Sequence, residues 1–116
     1  MQSGASPRQR DIFLGPIPFT DEEREKFRPV LVLSSSTANS YWADILVMTI
    51  TSNVNSPLPG ILIGAADFDN GGLPVASKLV VIRVFPVHYS RFGKYFGRLG
   101  KAAYSAAVEL LLAHIR

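Results

Sequence analysis

An apolar run, Val30–Leu33, follows Arg28 and Pro29 and ends at Ser34. A short run of valine and leucine between proline and serine is typical of a β-strand buried on both faces, because neither face of such a strand needs polar side chains. Arg28 then lies at the entrance of the strand, where the following proline favours extended backbone. A cation held there either pairs with a carboxylate or binds an anion. The ion pair is the more common role, and the run by itself favours it.

The composition is that of one globular domain. The chain has 116 residues, of which 47% are hydrophobic and 10% aromatic. It lacks cysteine, which excludes disulfides, thiolate catalysis and cysteine zinc sites. No apolar run approaches the roughly 20 residues that span a membrane, and the first ten residues contain no apolar core of a secretory signal. We therefore expect a cytoplasmic protein with no membrane partner.

Charge is unevenly divided along the chain, although the total is only +3. Residues 1–77 carry five lysine or arginine residues against eight acidic ones, a net charge of −3. Residues 78–116 carry seven against one, a net charge of +6. A basic segment of this kind is suited to a polyanion such as nucleic acid, to an acidic peptide, or simply to solvation.

Turn residues divide the chain into short elements after a disordered arm at residues 1–9, so that the folded domain covers residues 10–116. Thr20 begins a capping pattern that predicts either a helical turn to Lys26 or a mobile charged loop. The polar stretch Ser35–Tyr41 is predicted as a connector, and Trp42 as an anchor in the core or in a dimer interface. Strands are predicted over Asp11–Leu14, Val30–Ser34, Asp44–Thr51, Gly60–Gly64, Leu79–Phe85 and Lys94–Leu99, with a tight turn over Asp67–Gly72.

A helix is predicted over Lys101–Arg116, because apolar residues recur there with helical spacing. The predicted apolar stripe consists of Tyr104, Val108, Leu111, Leu112 and Ile115. Gly97 interrupts the strand before this helix and predicts a bulge or a close backbone approach. Many short strands followed by one helix indicate a mainly β fold, a small antiparallel barrel or strongly bent sheet with a C-terminal helix.

Residue types that commonly carry out chemistry are sparse. His88, placed in a predicted loop, and His114, placed in the helix, are too few and too far apart for a metal site, and structural roles are favoured for both. No phosphate-binding glycine loop, nucleophile elbow or metalloprotease motif is present. Arg28 at one strand and Thr51–Asn53 at the end of another remain. If neighbouring strand ends converge, this cation and this hydroxyl share one concave site suited to a phosphodiester.

Five motifs resemble those of the MazF/PemK family of toxin endoribonucleases and occur in the family's order. They are Arg10-Asp11-Ile12-Phe13, Pro18-Phe19-Thr20, the strand from Arg28-Pro29 to Ser34, Ile50-Thr51-Ser52-Asn53, and Gly97-Arg98-Leu99 before the helix. Each motif is weak alone, but together they span nearly the whole folded chain. Arg10 replaces the family's opening glycine, Gly100 its helix-capping serine, and Phe27 a basic residue found in many relatives.

The resemblance implies an SH3-like barrel of the CcdB/MazF type, a homodimer, and cleavage of single-stranded RNA without metal or other cofactor. In this chemistry the ribose 2′-hydroxyl attacks the adjacent phosphate and leaves a 2′,3′-cyclic phosphate and a 5′-hydroxyl. By the resemblance Arg28 and Thr51 are the catalytic residues. The residues implied to contact RNA are Phe19, Thr20, Ser52 and Asn53.

Three interpretations of the biological role remain. The first is a toxin that cleaves mRNA and is neutralised by a small acidic antitoxin. The second is a non-catalytic CcdB-like barrel that binds and inhibits a protein partner. A plain structural dimer module is a third. Arg28 and Thr51 favour the nuclease, whereas the acidic residues between Asp21 and Glu25 weigh against it.

Overall fold

The computed structural model describes residues 6–18 and 25–116. They form seven strands and two α-helices: β1 (Asp11–Ile17), β2 (Lys26–Val32), α1 (Ser36–Tyr41), β3 (Asp44–Thr51), β4 (Gly60–Ile63), β5 (Phe68–Gly71), β6 (Ser77–His88), β7 (Tyr95–Leu99) and α2 (Lys101–Ile115). Two short 3₁₀ turns, Ala65–Asp67 and Tyr89–Arg91, precede β5 and follow β6. No helix in the described ranges is long and apolar enough to cross a membrane.

All seven strands belong to one antiparallel sheet in the order β4-β6-β3-β2-β1-β7-β5. The two edge strands, β4 and β5, are consecutive in the chain and are joined only by residues 64–67. So short a connection between the two ends of the sheet requires the sheet to curl into a half-barrel. Helix α2 packs against β4 and β6. This mainly β half-barrel with a C-terminal helix confirms the predicted fold class.

The sheet buries apolar side chains on both of its faces. The first core, on the inner face beneath α2, contains Leu31 and Leu33 with Ile12, Met48, Ile50, Leu79 and Leu99. The second core, on the other face, contains Val30 and Val32 with Phe13, Ile17, Ile45, Val47, Val87 and Phe92. The run from Val30 to Leu33 therefore alternates between two cores, and the predicted burial on both faces is confirmed. The strand itself ends at Val32, before the predicted end at Ser34.

Prolines inside three strands are tolerated because each lies on a stretch that pairs on one side only. Pro16 of β1 pairs with β2, beyond the point where β1 stops pairing with β7. Pro29 of β2 pairs with β1, beyond the point where β2 stops pairing with β3. Pro86 of β6 pairs with β3, beyond the point where β6 stops pairing with β4. A missing N–H costs no ladder hydrogen bond on an unpaired side. β1 consequently continues to Ile17 and does not end at Gly15 and Pro16 as predicted. β2 also begins earlier than predicted, at Lys26, so the predicted helical turn does not extend to that residue.

The predicted connector at 35–41 is instead helix α1. The Ser35 hydroxyl accepts a hydrogen bond from the Ala38 N–H and caps the helix. Buried Asn39 donates to the Pro7 carbonyl oxygen at 2.8 Å, and Pro7 is itself buried. The packed part of the chain thus includes Pro7, within the predicted arm. Trp42 follows α1 and is 68% exposed, so it does not anchor the core of this chain.

The segment Asp67–Gly72, predicted as a tight turn, contains the edge strand β5. Gly71 pairs with Gly97 of β7, and both glycines have positive φ. A Cβ atom on Gly97 would overlap the Asn70 carbonyl oxygen, and one on Gly71 would overlap the Phe96 carbonyl oxygen. The predicted close backbone approach at Gly97 is therefore confirmed, and it is what allows β5 to pair.

Helix α2 forms as predicted but packs with a shifted face. Ala103 and Ala107 are buried, and Tyr104, Leu110 and Leu111 pack against the first core. Two small residues let the helix axis approach the sheet closely, whereas Ile115 of the predicted stripe is 67% exposed. Gly100 precedes the helix, and a Cβ there would lie 2.9 Å from the Asp67 carbonyl oxygen. A close contact with the turn before β5 therefore takes the place of a capping side chain.

Candidate active site

The site is formed where β2 and β3 stop pairing. Their register ends at Val30 opposite Thr49 and, if continued, would place Arg28 opposite Thr51. The next residue of β2 is Pro29, which has no N–H to donate to a ladder. A cavity of about 350 Å³ lies at this end of the two strands and is lined by both Arg28 and Thr51. The convergence predicted from the sequence is thus present, and it arises from two adjacent strands.

The cavity has a polar, cationic part and an apolar part. Lys26, Arg28 and Arg83 supply positive charge, and among residues 6–18 and 25–116 no aspartate or glutamate lines the cavity. The apolar lining includes Ile17, Leu58 and Val80. By contrast, a second cavity of about 280 Å³ beside Trp42 is lined by uncharged residues. Of these two cavities, only the first has the charge to bind an anion.

Arg28 projects from β2 into solvent at the cavity wall. The only hydrogen bond that its side chain forms within the described residues runs from Nη1 to the Phe27 carbonyl oxygen at 3.0 Å. No carboxylate of residues 6–18 and 25–116 lies within salt-bridge distance of its guanidinium. For the described residues the structure therefore favours the anion-binding interpretation of Arg28 over the ion pair that the sequence favoured.

Thr51 is half-buried at the end of β3, and its hydroxyl is oriented by the backbone that follows. The Asn53 N–H donates to the Thr51 hydroxyl oxygen at 3.1 Å. The hydroxyl proton is therefore free to be donated to a ligand in the cavity. A hydroxyl that accepts from the backbone and donates outward is suited to bind a phosphate oxygen.

The loop after β3 is held against the sheet by Lys78, whose Nζ donates to the Ser56 carbonyl oxygen at 2.7 Å. Within this loop Asn53 is exposed and lines the cavity, and its Oδ1 accepts the Asn55 N–H at 3.2 Å. The Asn53 amide nitrogen remains available as a donor. Ser52 is also exposed but is not part of the described cavity lining. The structure therefore brings Asn53 to Arg28 and Thr51, and leaves Ser52 outside.

Two cations of the cavity were missed by the sequence analysis. Arg83 reaches it because β6 is irregular: Met48 pairs with Val84, but Ile50 pairs with Leu79, so β6 has extra residues between these pairs. Lys26 reaches it because β2 begins earlier than its apolar run indicates. Lys26 and Arg28 come from the acidic part of the sequence and Arg83 from the basic part. The division of charge along the chain therefore does not correspond to the site.

Glu25, the last residue of the acidic segment, is paired with Arg91, and neither residue is among those that line the cavity. Arg91 forms a two-pronged ion pair with Glu25, with nitrogen–oxygen distances of 2.8 and 3.0 Å. Its guanidinium also lies 5.9 Å from the centre of the Phe27 ring. Glu25 thus does not neutralise Arg28. The other sequence candidates, Phe19 and Thr20, lie outside the described residues.

Both histidines have local hydrogen-bond partners away from the cavity. His88 is the last residue of β6, whereas the sequence predicted a loop at this position. Its Nδ1 accepts a hydrogen bond from the Ser90 N–H at 3.1 Å. His114 Nδ1 lies 2.9 Å from the Leu110 carbonyl oxygen in α2. Within the described part of the chain, no group of three or more histidine, cysteine, aspartate or glutamate residues could hold a metal ion.

Comparison with known families gives one match over almost the entire chain. Residues 8–115 match the model of a family described as PemK-like, MazF-like toxin of type II toxin-antitoxin system. No curated protein matches the sequence.

Solved structures share the fold at low sequence identity. A mycobacterial endoribonuclease in complex with its cognate antitoxin is 14% identical, with a TM-score of 0.75 over 95% of each chain. The Mycobacterium tuberculosis toxin MazF-mt6 is 20% identical, with a TM-score of 0.73 over 91% of this chain and 96% of that one. MazF from Deinococcus radiodurans is 17% identical, with a TM-score of 0.74 over 95% of this chain and 96% of that one.

Proposed function

Since the chain belongs to the PemK-like, MazF-like family of type II toxin–antitoxin toxins, we propose that it is an endoribonuclease that cleaves single-stranded RNA. The observation that carries this proposal is that Arg28 and Thr51 line one cavity, where every charged lining residue in the described part of the chain is a cation. Endoribonucleases are also among the proteins whose solved structures share the fold.

In the proposed reaction the ribose 2′-oxygen attacks the adjacent phosphorus, and the proton of the 2′-hydroxyl passes to water. The bond from phosphorus to the 5′-oxygen breaks, and that oxygen takes up a proton. The products are a 2′,3′-cyclic phosphate and a 5′-hydroxyl. DNA lacks the attacking hydroxyl and is not a substrate. An mRNA substrate places the reaction in the cytoplasm.

Arg28 and Thr51 act on the phosphate in this proposal. The guanidinium donates to the non-bridging oxygens, where negative charge grows in the transition state. The Thr51 hydroxyl donates a hydrogen bond to the same phosphate, because its oxygen already accepts one from the Asn53 N–H. Both donors are attached to strands, so little reorganisation is needed when the charge develops.

The remaining polar groups bind the rest of the RNA. Lys26 and Arg83 bind flanking phosphates, and the side-chain amide of Asn53 donates a hydrogen bond to a base. Three cations repel a divalent metal ion, which supports a reaction without metal. Ser52, Phe19 and Thr20, implied as RNA contacts by the family resemblance, remain predictions.

The proposal is tested by mapping RNA ends after incubating a long single-stranded RNA with the protein in excess chelator. We expect discrete cuts with cyclic-phosphate and 5′-hydroxyl ends. Arg28→Ala should lower the rate by roughly 10²- to 10³-fold, as loss of an oxyanion donor does. Arg116→Ala, at an exposed arginine at the end of α2, is the matched control and should cut normally.

Intact RNA with a folded wild-type protein would contradict the nuclease and favour the protein-binding barrel. Cuts that survive Arg28→Ala would place the chemistry elsewhere. Cuts that require added metal would contradict the metal-free reaction while leaving the nuclease in place.

A small acidic antitoxin is the proposed protein partner. Acidic side chains complement Lys26, Arg28 and Arg83, and covering the cavity would block RNA. The mycobacterial endoribonuclease with the same fold was solved with its cognate antitoxin. A homodimer is proposed as well, with exposed apolar side chains such as Trp42 and Ile115 as candidates for its interface. Analytical ultracentrifugation tests this, and a monomer at high protein concentration would contradict it.

A further inference from the structure

Lys78 is connected to both ends of the segment that carries Thr51 and Asn53. On β6 it pairs with Thr51 of β3, so its backbone lies beside the strand end that bears the Thr51 hydroxyl. Its side chain extends to the loop that follows β3, where Nζ donates to the Ser56 carbonyl oxygen at 2.7 Å. One lysine therefore fixes where the segment from Thr51 to Ser56 begins and where it ends.

Two further hydrogen bonds join these ends through the loop. The Ser56 N–H donates to the Asn53 carbonyl oxygen at 3.1 Å. The Asn53 N–H in turn donates to the Thr51 hydroxyl oxygen at 3.1 Å. Successive hydrogen bonds of this kind reinforce one another. The direction of the Thr51 hydroxyl thus depends on the place at which Lys78 holds Ser56.

The Lys78 side chain reaches Ser56 by passing Gly60 of β4. A Cβ atom on Gly60 would lie 2.7 Å from Lys78 Cε and 2.9 Å from its Cγ, so the lysine occupies the space that a side chain at position 60 would need. No carboxylate in the described ranges lies within salt-bridge distance of the ammonium group. Lys78 is also not one of the residues that line the cavity, unlike Arg28 and Arg83. Its charge therefore acts on the loop.

We propose that Lys78 is a positioning residue, whose hydrogen bond to Ser56 holds the loop where Thr51 donates to the phosphate and Asn53 to a base. The inference rests on the proposed function for the identity of the ligand. A hydrogen bond from an ammonium group is stronger than one between neutral groups. A misplacement of about 1 Å at a reacting centre lowers a rate by up to about 100-fold. Loss of the ammonium group should therefore slow the chemical step.

The first measurement is amide hydrogen exchange by NMR, which needs neither RNA nor nuclease activity. Lys78→Met keeps a long side chain and removes the donor, and Lys101→Met, at the exposed first residue of α2, is the matched control. We expect Lys78→Met to speed exchange of the Asn53 and Ser56 N–H groups by at least about fivefold, and to leave the core amides of β3 unchanged. The control should match the wild type.

Two results of this measurement would overturn the proposal. The first is equal exchange of the Asn53 and Ser56 amides in the wild type and Lys78→Met, including an absence of protection in both. The second is faster exchange throughout the sheet in Lys78→Met, because it would show that Lys78 stabilises the whole fold and not the loop.

The second measurement separates positioning from direct contact with RNA. Single-turnover cleavage at saturating protein reports the chemical step, and the salt dependence of binding reports phosphate contacts. We expect Lys78→Met to lower the cleavage rate by roughly tenfold and to leave the salt slope unchanged. A lysine that contacts a phosphate would instead lose about 0.7 of that slope. A normal rate, or a reduced slope, would overturn the proposal.

A double-mutant comparison tests whether Lys78 acts through Thr51. In a Thr51→Val background, Lys78→Met should have little further effect on the rate, because the hydroxyl that it positions is already absent. A full tenfold effect in that background would overturn the proposed path. A protein that cuts no RNA, but whose loop amides lose protection in Lys78→Met, would support the hold of Lys78 on the loop while refuting the nuclease.

Discussion

The backbone N–H of Asn53 donates to the hydroxyl oxygen of Thr51 across 3.1 Å and so directs the hydroxyl proton away from the loop. This orientation gives Thr51 a role that depends on an O–H group. Thr51→Val should lower single-turnover cleavage by at least about 100-fold, because a donor to the developing charge is lost. Thr51→Ser keeps the donor and should remain within about tenfold of wild type. Equal rates for the valine and serine variants would show that the hydroxyl takes no part.

Arg83 should act on binding more than on chemistry. Each phosphate contact with single-stranded nucleic acid contributes about 0.7 to the slope of log affinity against log salt. We expect Arg83→Ala to weaken RNA binding and to reduce that slope by about this amount. Titrations at several salt concentrations measure it, with Arg116→Ala as the control. An unchanged slope would remove Arg83 from the phosphate contacts.

Arg10 combines a strained backbone with a buried side chain that pairs with the exposed Asp69. Its φ of 81° is in the left-handed region, while Nη1 lies 2.9 Å from Asp69 Oδ2 and 2.7 Å from the Leu99 carbonyl oxygen. Arg10→Ala keeps the strain and loses both contacts, so it should cost about 2 kcal/mol. Arg10→Gly also relieves the strain and should be about 1 kcal/mol more stable than the alanine variant. Denaturant unfolding measures the free energy of unfolding of both variants, and an alanine variant more stable than the glycine variant would contradict this account.

Tyr104 links helix α2 to the sheet in a pH-dependent way. Its hydroxyl donates to the Leu33 carbonyl oxygen at 2.8 Å. Burial raises the pKa of Tyr104 above its usual 10.0, with the Arg10 charge and the Gln9 side chain acting in the opposite direction. Because the folded pKa is the higher one, the stabilisation is complete below pH 10 and is lost as pH rises through that folded pKa.

Tyr104→Phe should therefore cost about 1 kcal/mol of unfolding free energy near neutral pH. The difference between the variant and the wild type should shrink above pH 10, where ionisation of Tyr104 disfavours the wild-type fold. Urea unfolding from pH 7 to pH 11 measures both effects. A difference that stays constant with pH would contradict the linkage.

Much of the fold was predictable because local patterns and tertiary structure agree. Val30–Leu33 has a composition that is typical of a strand buried on both faces, and α2 has clear helical spacing. Strand β5 was not predictable, since Asp-Asn-Gly-Gly is typical of a turn and becomes a strand only because Gly97 lets Gly71 approach. Helix α1 was missed because its residues are polar, although Ser35 offers a recognisable cap.

The candidate site was predictable only in part, for a related reason. Arg28 and Thr51 stand out as polar residues at the ends of apolar strands. Lys26 and Arg83 do not, because their approach to the cavity depends on strand register and on the irregular course of β6.

The short link between β4 and β5 has a consequence for behaviour at high concentration. Open sheet edges recruit strands of other molecules and so promote aggregation, and natural proteins keep such edges short or covered. Here each edge strand has four residues, and the two are successive in the chain. The curved sheet therefore exposes only short edge strands for pairing between molecules. We expect the protein to resist aggregation when it is produced in excess.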